Sequence, residues 1–535
     1  MKPGTASPRS VPRAGRTCLV IAACLAVAAL HAPPAGAAKA PSRPAAPAPP
    51  RTGLEDLERQ VREFTLPNGV RFILVERHDA PVFSFMTVVN AGSVDNPQGA
   101  TGLAHMMEHM AFKGTALVGT KDYAAEKPLL DTEEGAWQAL SAERQKGARA
   151  DSVKLAAVER AFLDARDAAR TKVESNGYSA LLERNGAQGL NAGTAMDITM
   201  YLYSLPSNRF ELWALLEGGR MAHPVFREFY TERDVVIEER RMRYESSPFG
   251  RLLWEFWASS FIAHPYGSTG IGFPSDLRSF SRAQGEEFYR RHYVGRNIAV
   301  GVVGDVALAD LQGHATKYFS DIPDSPPPPP IVTVEPEQRA ERRILLEDSA
   351  QPHIFIGWHI PAASDPSYRA CTAAANLLGG GDFSRLHKSL VKEKKIAVQV
   401  SASTGFPGEK YPNLMIAHVV PAAGQDPQAV EQEVYRVIEE AMGPKPFTPE
   451  ELDGYKVRTR AQMVGAAQSN DGLAGELAQA QTLYGDWREF FRSAQRVQAL
   501  TVADLGAAMQ AAMRPSNRTV AMIVPPKAAA SGGGR

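Results

Sequence analysis

The chain has 535 residues, 44% of them hydrophobic and 22% charged, an ordinary globular composition with material for two or three domains. Its 59 basic and 59 acidic side chains cancel. No net field therefore points to nucleic acid or to an anionic membrane surface as a partner.

Residues 1–37 have the layout of a secretory signal peptide. Arg9, Arg13 and Arg16 precede the apolar run TCLVIAACLAVAAL, and HAPPAGAAKA supplies small residues suited to cleavage after Ala37 or Ala38. A second reading takes IAAC as a lipid-attachment site at Cys24, but the apolar run continues well past that cysteine. The run is short for a membrane span and no later segment qualifies. The expectation is a periplasmic or secreted chain with no stable membrane span. Cys18 and Cys24 leave with the signal, so Cys371 stays alone and neither an intramolecular disulfide nor a cysteine metal site is expected.

Residues 38–53 read as a Pro/Ala-rich tether. REFTLPNGVRFILVERH then gives two β-rich runs around a Pro-Asn-Gly turn, and PVFSFMTVVNAGSVDNP gives a further strand. After a loop from Ser93 to Gly102, GLAHMMEHMAFKGT (102–115) begins a helix. Residues 121–172 shift toward Ala, Glu, Arg and Lys with helical spacing and a charged face, which predicts a helical pair inserted at this point. YTERDVVIEERRMRYESSP (230–248) is an acidic helix. Five prolines, Pro326–Pro330, open a connector at 326–336 between a unit at 54–325 and a second at 337–526, with 527–535 as a flexible tail.

The two units look like copies. RFILVERHDAPVFSF (71–85) is similar to RILLEDSAQPHIFIG (343–357), and YVGRNIAVGVVG (293–304) to RPSNRTVAMIVP (514–525). The predicted fold is α+β, two related units that each pair a mostly antiparallel sheet with helices.

The chemistry concentrates in His105, Glu108 and His109. Three proton-active side chains among methionines are costly unless something compensates them. Four residues apart on a helix, His105 and His109 share a face with Cβ atoms roughly 5–6 Å apart. Both can direct a ring nitrogen to one point at about 2.0–2.1 Å, the usual zinc–nitrogen distance. Glu108 is offset, as suits a general base beside the metal rather than a third ligand. His-x-x-Glu-His is the reversed form of a zinc-peptidase signature. A carboxylate on a second helix would complete the site. Glu232 and Glu239 are seven apart and share a face of the acidic helix, whereas Glu238 points about 100° away.

NAGSVDNPQGATGLAHMMEHMAFKGT resembles the active-site segment of the M16 family, the pitrilysin, insulinase and mitochondrial-processing-peptidase zinc peptidases. GLNAGTAMDITMYLYSLP (189–206) and GGGDFSRLHKSLVKEKKIAVQVSAS (379–403) resemble further segments of it, so the likeness runs over roughly 55–525. It implies two M16-type domains and one Zn²⁺ per chain, held by His105, His109 and Glu239. Glu108 would be the catalytic base and Glu232 an auxiliary carboxylate. Asn191 and Ala192 would lie on an edge strand that takes the substrate backbone as an added strand. The interval from His109 to Glu239 is longer than the family usually shows, and the helical segment at 121–172 accounts for the excess. In the second unit, where the family holds the substrate with an Arg and a Tyr, Lys392 stands in place of the Arg and could supply the charge as a substrate-binding residue, while Val398 stands in place of the Tyr, and valine donates no hydrogen bond. Because the family's chamber needs four such units, a homodimer or a heterodimer with a second M16-like chain is expected. The expectation is an exported zinc endopeptidase acting on peptides or small unfolded chains. The alternative is a non-catalytic, peptide-binding subunit of a heterodimer.

Overall fold

The computed structural model describes residues 53–526; the expected signal peptide with Cys24, nearly all of the tether, and the tail at 527–535 lie outside the described residues. The first half begins with α1 (Leu54–Gln60), β1 (Arg62–Thr65) and β2 (Arg71–Glu76). The apolar run VFSFMTVV becomes β3 (Val82–Val89), buried from its second residue onward as a central strand must be. There follow α2 (Leu103–Met110), α3 (Tyr123–Arg144), α4 (Ser152–Arg170) and α5 (Gly177–Arg184). The strands β4 (Gln188–Thr194) and β5 (Thr199–Pro206) form the next hairpin, and β5 alternates strictly between buried and half-buried side chains. Helices α6 (Phe210–Ala222), α7 (Phe229–Arg240), α8 (Pro248–Ser260), α9 (Pro274–Ser279) and α10 (Arg282–His292) lead to β6 (Ile298–Gly304) and α11 (Leu308–Phe319).

The second half runs β7 (Arg342–Glu347), β8 (Ile354–Ile360), α12 (Tyr368–Gly379), β9 (Ala397–Phe406) and β10 (Asn413–Pro421). Helices α13 (Pro427–Met442), α14 (Pro449–Gln468), α15 (Asn470–Tyr484), α16 (Glu489–Ala499) and α17 (Val502–Ala512) precede β11 (Arg518–Val524). One sheet has the order β1-β2-β6-β3-β5-β4 and the other β7-β11-β8-β10-β9. Apart from β1 the two are the same path. β2 pairs parallel with β6 as β7 does with β11, and the remaining pairs are antiparallel in both. The duplication read from 71–85 and 343–357 is therefore the correspondence of β2–β3 with β7–β8.

The proline connector separates the halves along the chain, but not their cores. Ile73, Val75 and Val303 on the first sheet pack with Leu473, Ala474 and Leu477 of α15, which belongs to the second half. In return Leu252, Phe256 and Trp257 of α8 pack with Phe355, Ile416 and Ile523 on the second sheet. Two glycines permit these approaches. A Cβ on Gly301 of β6 would lie 2.2 Å from the Ala474 carbonyl oxygen, and one on Gly357 of β8 would lie 2.7 Å from the Phe256 ring. Each half thus lends a helix to the other's sheet, an exchange that local sequence patterns do not announce.

Candidate metal centre

The helix α2 starts where Gly102 takes a left-handed conformation, φ 93°; a Cβ there would meet the Ile271 carbonyl oxygen at 2.5 Å. The Asn96 side-chain oxygen accepts from the backbone N–H of Ala104 at 2.8 Å, satisfying a donor in the first turn. The helix then buries Leu103, Met106, Met107 and Met110 in the first core. This leaves His105, Glu108 and His109 on the side facing β4 and α7.

The histidines meet a carboxylate from α7. Glu239 Oε2 lies 3.8 Å from His105 Nε2 and 3.7 Å from His109 Nε2. The donor atoms of the three residues all lie within 4.8 Å of one another. The other Glu239 oxygen is held by Arg243 Nη2 at 2.5 Å. Glu232, one face-repeat earlier on α7, puts Oε2 3.2 Å from His109 Nδ1, and its Oε1 accepts from Lys113 Nζ at 2.6 Å. Burial opposes the charge on Glu232, yet His109 and Lys113 hold its carboxyl down to about 2. It is therefore ionised and can only accept, which puts a His109 proton on Nδ1 and turns Nε2 toward Glu239. Burial pushes His105 well below the ordinary imidazole range, with His109 and Arg243 adding to the effect, so its ring is neutral. For His109 burial acts in the same direction, but Glu232, Glu108 and Glu239 outweigh it and raise its pKa.

His105 Nε2 and His109 Nε2 thus converge on Glu239 Oε2 at 3.8 and 3.7 Å, too long for hydrogen bonds among them. A buried carboxylate oxygen facing two imidazole nitrogens at that spacing leaves room for a cation between them. Two imidazoles and a carboxylate are the donor types that suit zinc, with room for one further position. The residues present fit a divalent metal.

Glu108 is aimed beside this set. Its Oε2 is buried without a hydrogen-bond partner. Burial raises its pKa, against the pull of His109 and of the Thr194 hydroxyl at the end of β4. Asn191 and Ala192 lie on β4, the outer strand of its sheet, where Asn191 pairs with Leu202 and its side-chain oxygen accepts from the Ala192 N–H at 2.9 Å. The structure thus brings His105, Glu108, His109, Glu232 and Glu239 together beside the strand bearing Asn191 and Ala192. It does not bring Lys392 there. Lys392 Nζ donates to the Asp382 carbonyl at 2.9 Å and lies 5.4 Å from the Phe383 ring centre, within the second half's own turn. Val398 is exposed at the start of β9, the outer strand of the second sheet. Glu238 faces solvent and pairs with Arg241 at 3.3 Å.

Two members of the site escaped sequence reasoning, Arg243 and Lys113. Arg243 lies four residues beyond its partner Glu239, a spacing that could have pointed to it, whereas Lys113 follows the end of α2 and reaches Glu228 and Glu232 from a distant part of the chain, which no local pattern announces.

Comparisons with known proteins bear on the family and the fold. A family described as "Insulinase (Peptidase family M16)" matches residues 71–129, which include α2, and "Peptidase M16 inactive domain" matches 279–458. The zinc protease PqqE of Helicobacter pylori is 24% identical over 421 residues, covering 77% of this chain and 82% of that protein. The crystal structure of a protease from Helicobacter pylori superposes with a TM-score of 0.72 at 23% identity, covering 87% of this chain and 99% of the other. The first half of the periplasmic protease PqqL from Escherichia coli gives 0.62 at 17% identity, covering 87% and 92%. At these identities the solved structures establish the fold. No helix among the described residues is long and apolar enough to cross a membrane.

Proposed function

The chain belongs to the M16 family of zinc metallopeptidases, and from that premise we propose that it is an exported zinc-dependent endopeptidase acting on peptides or small unfolded polypeptides. The observation that carries this reading is the convergence of His105, His109 and Glu239 with Glu108, whose buried Oε2 has no hydrogen-bond partner, at their side. His105 Nε2, His109 Nε2 and Glu239 Oε2 would hold one Zn²⁺. Bound there, zinc supplies Lewis acidity and brings a water's pKa toward 7.

The protein's own groups do the rest. Glu108 takes the proton of the attacking water and returns it to the leaving amine nitrogen, and its raised pKa suits that return. Glu232 fixes the His109 ring through Nδ1, and Arg243 fixes Glu239 through Oε1. The substrate backbone adds to β4 beside Asn191 and Ala192, which favours extended chains with little demand on side chains. Lys392 supplies positive charge to the chamber wall in this reading, not a direct hold on the reacting carbonyl. The signal-like N-terminus supports export to the periplasm or beyond, and the two-unit architecture supports a homodimer or a heterodimer with a second M16-like chain.

A second reading, a non-catalytic peptide-binding subunit, draws on the match of 279–458 to an inactive domain and on Val398 in the second half. One experiment separates the two. Mature protein and Glu108→Gln are stripped with a chelator, reloaded with zinc and assayed on a quenched fluorescent peptide. The peptidase reading expects turnover by wild type and a loss of about 10²–10⁴-fold in Glu108→Gln with zinc content unchanged. Equal rates in the two proteins, or no zinc-dependent turnover with or without a co-purifying partner chain, would refute it.

A further inference from the structure

The helical hairpin α3–α4 packs against α7, the helix that carries Glu232 and Glu239. Its two ends are joined to each other, since Thr120 and Val173 form an isolated β-bridge and Lys121 N–H donates to Lys172 O at 2.8 Å. The hairpin therefore leaves and re-enters the fold at one point, and the match to the insulinase family ends inside α3 at residue 129.

Two contacts bind it to α7 and to the turn just before that helix. Trp137 of α3 is buried, with the Arg233 guanidinium 4.2 Å from its ring centre and the Tyr230 ring at 4.8 Å. Phe162 of α4 completes the cluster, 5.3 Å from Trp137 and 5.2 Å from Tyr230. The Tyr230 hydroxyl also donates to Glu134 Oε2 at 2.6 Å. The second contact is a fully buried ion pair. Arg227 donates from Nε to Glu126 Oε1 at 2.8 Å and from Nη2 to Glu126 Oε2 at 3.2 Å. The same guanidinium donates to the carbonyls of Thr115 and Val118 at 2.7 and 3.0 Å, in the loop that follows α2.

The start of α7 needs this support. Glu228, its N-cap residue, sits at φ 57°, a left-handed conformation that a side chain disfavours and that persists only where its surroundings impose it. Its carboxylate is held by Lys113 at 3.0 Å and approached by Arg170 of α4 at 4.0 Å. Thus α7 is clamped on one side by the hairpin, through Tyr230 and Arg233 and through Arg227 just before its N-cap, and on the other it presents Glu232 and Glu239 to α2.

We propose that the α3–α4 hairpin is a buttress for the metal centre, with Trp137 and Glu126 as positioning residues that hold α7 at the spacing from α2 at which Glu232 meets His109 and Glu239 completes the ligand set. Neither touches the metal or the substrate; each acts through α7. The inference rests on the zinc reading above. It differs from a lid or a partner-binding surface, either of which would leave metal affinity alone.

The test reads zinc affinity by competition with a chromogenic chelator, together with the melting temperature of the zinc-free protein. Wild type is compared with Trp137→Ala, Trp137→Phe, Glu126→Gln and a chain in which Thr120 is linked to Val173 through two glycines. The buttress expects zinc affinity to fall about 10- to 100-fold in Trp137→Ala, Glu126→Gln and the excised chain, the range seen when partners that orient metal ligands are lost. Trp137→Phe, which keeps a ring beneath Arg233, recovers most of the loss. If Trp137→Ala does not fold, Trp137→Leu, which keeps apolar volume without the ring, is read in its place with the same expectation. Folded variants that melt lower but bind zinc within threefold of wild type would show a merely structural hairpin and overturn the proposal. Wild type that binds no zinc would remove the metal reading itself, and the buttress with it.

Discussion

The segment after β3 in the first half and the segment after β8 in the second are the same place in the same fold. In the first it is α2, LAHMMEHM; in the second it is α12, YRACTAAANLLG. The second helix fills its buried face with Tyr368, Ala370, Cys371, Ala374, Leu377 and Leu378. Nothing in the architecture asks for a histidine there. Burying a polar group without a partner costs about 1–3 kcal/mol, and His105 Nδ1 and Glu108 Oε2 are both buried without one. Where one copy of a fold does without such groups and the other keeps them, their reason is chemistry and not folding.

Making the first copy resemble the second gives the largest expected effect. His105→Leu should abolish zinc retention, measured by metal content after dialysis, while the zinc-free protein melts no lower than zinc-free wild type. A sharp drop in the zinc-free melting temperature would mean that His105 is a structural residue after all.

A smaller effect distinguishes the two helix exchanges. Gly301 meets backbone of α15 at 2.2 Å, whereas Gly357 meets the Phe256 ring at 2.7 Å, a side chain that is itself buried and packed against Phe355 and Phe406. Both Gly301→Ala and Gly357→Ala should therefore cost about 1–3 kcal/mol or more in chemical denaturation, Gly301→Ala the larger. Equal costs would say that both interfaces relax alike.

A further effect, spread over a pH range, lies at the second sheet. His418 stacks on His353 and Phe355 near α8, and its ring lies 3.0 Å from His353 through Nε2 and Nδ1. Burial, with His353 adding to it, pushes the His418 pKa down to about 4. The unfolded chain takes up a proton near pH 6.5 that the folded chain refuses until about 4, so stability falls as pH falls through that window. The loss is at most about 3 kcal/mol. Thermal melts of wild type from pH 7 to pH 4 should show a larger decline than those of His418→Gln; parallel curves would contradict this origin.

Much of the site was legible because its parts are local. The spacing of His105, Glu108 and His109, and of Glu232 and Glu239, encodes shared helix faces, and each face is visible within eight residues. The duplicated strands at 71–85 and 343–357 were legible for the same reason, as was a helical pair between Thr120 and Lys172. What stayed hidden depends on contacts between distant parts of the chain. The exchange of α8 and α15 is set by which apolar face meets which sheet, and Gly301 and Gly357 reveal it only once Ala474 and Phe256 are seen against them. Lys392 looked available to the site because its charge is plain in the sequence, while its bond to the Asp382 carbonyl is not.

Whether His105, His109 and Glu239 together hold one zinc ion is read from diffraction by crystals of the zinc-loaded protein, recorded on both sides of the zinc absorption edge. A single anomalous peak per chain is expected among His105 Nε2, His109 Nε2 and Glu239 Oε2, with Glu108 beside the peak and not bonded to it. A peak elsewhere, or none at this place in a protein that carries zinc, would contradict that ligand set.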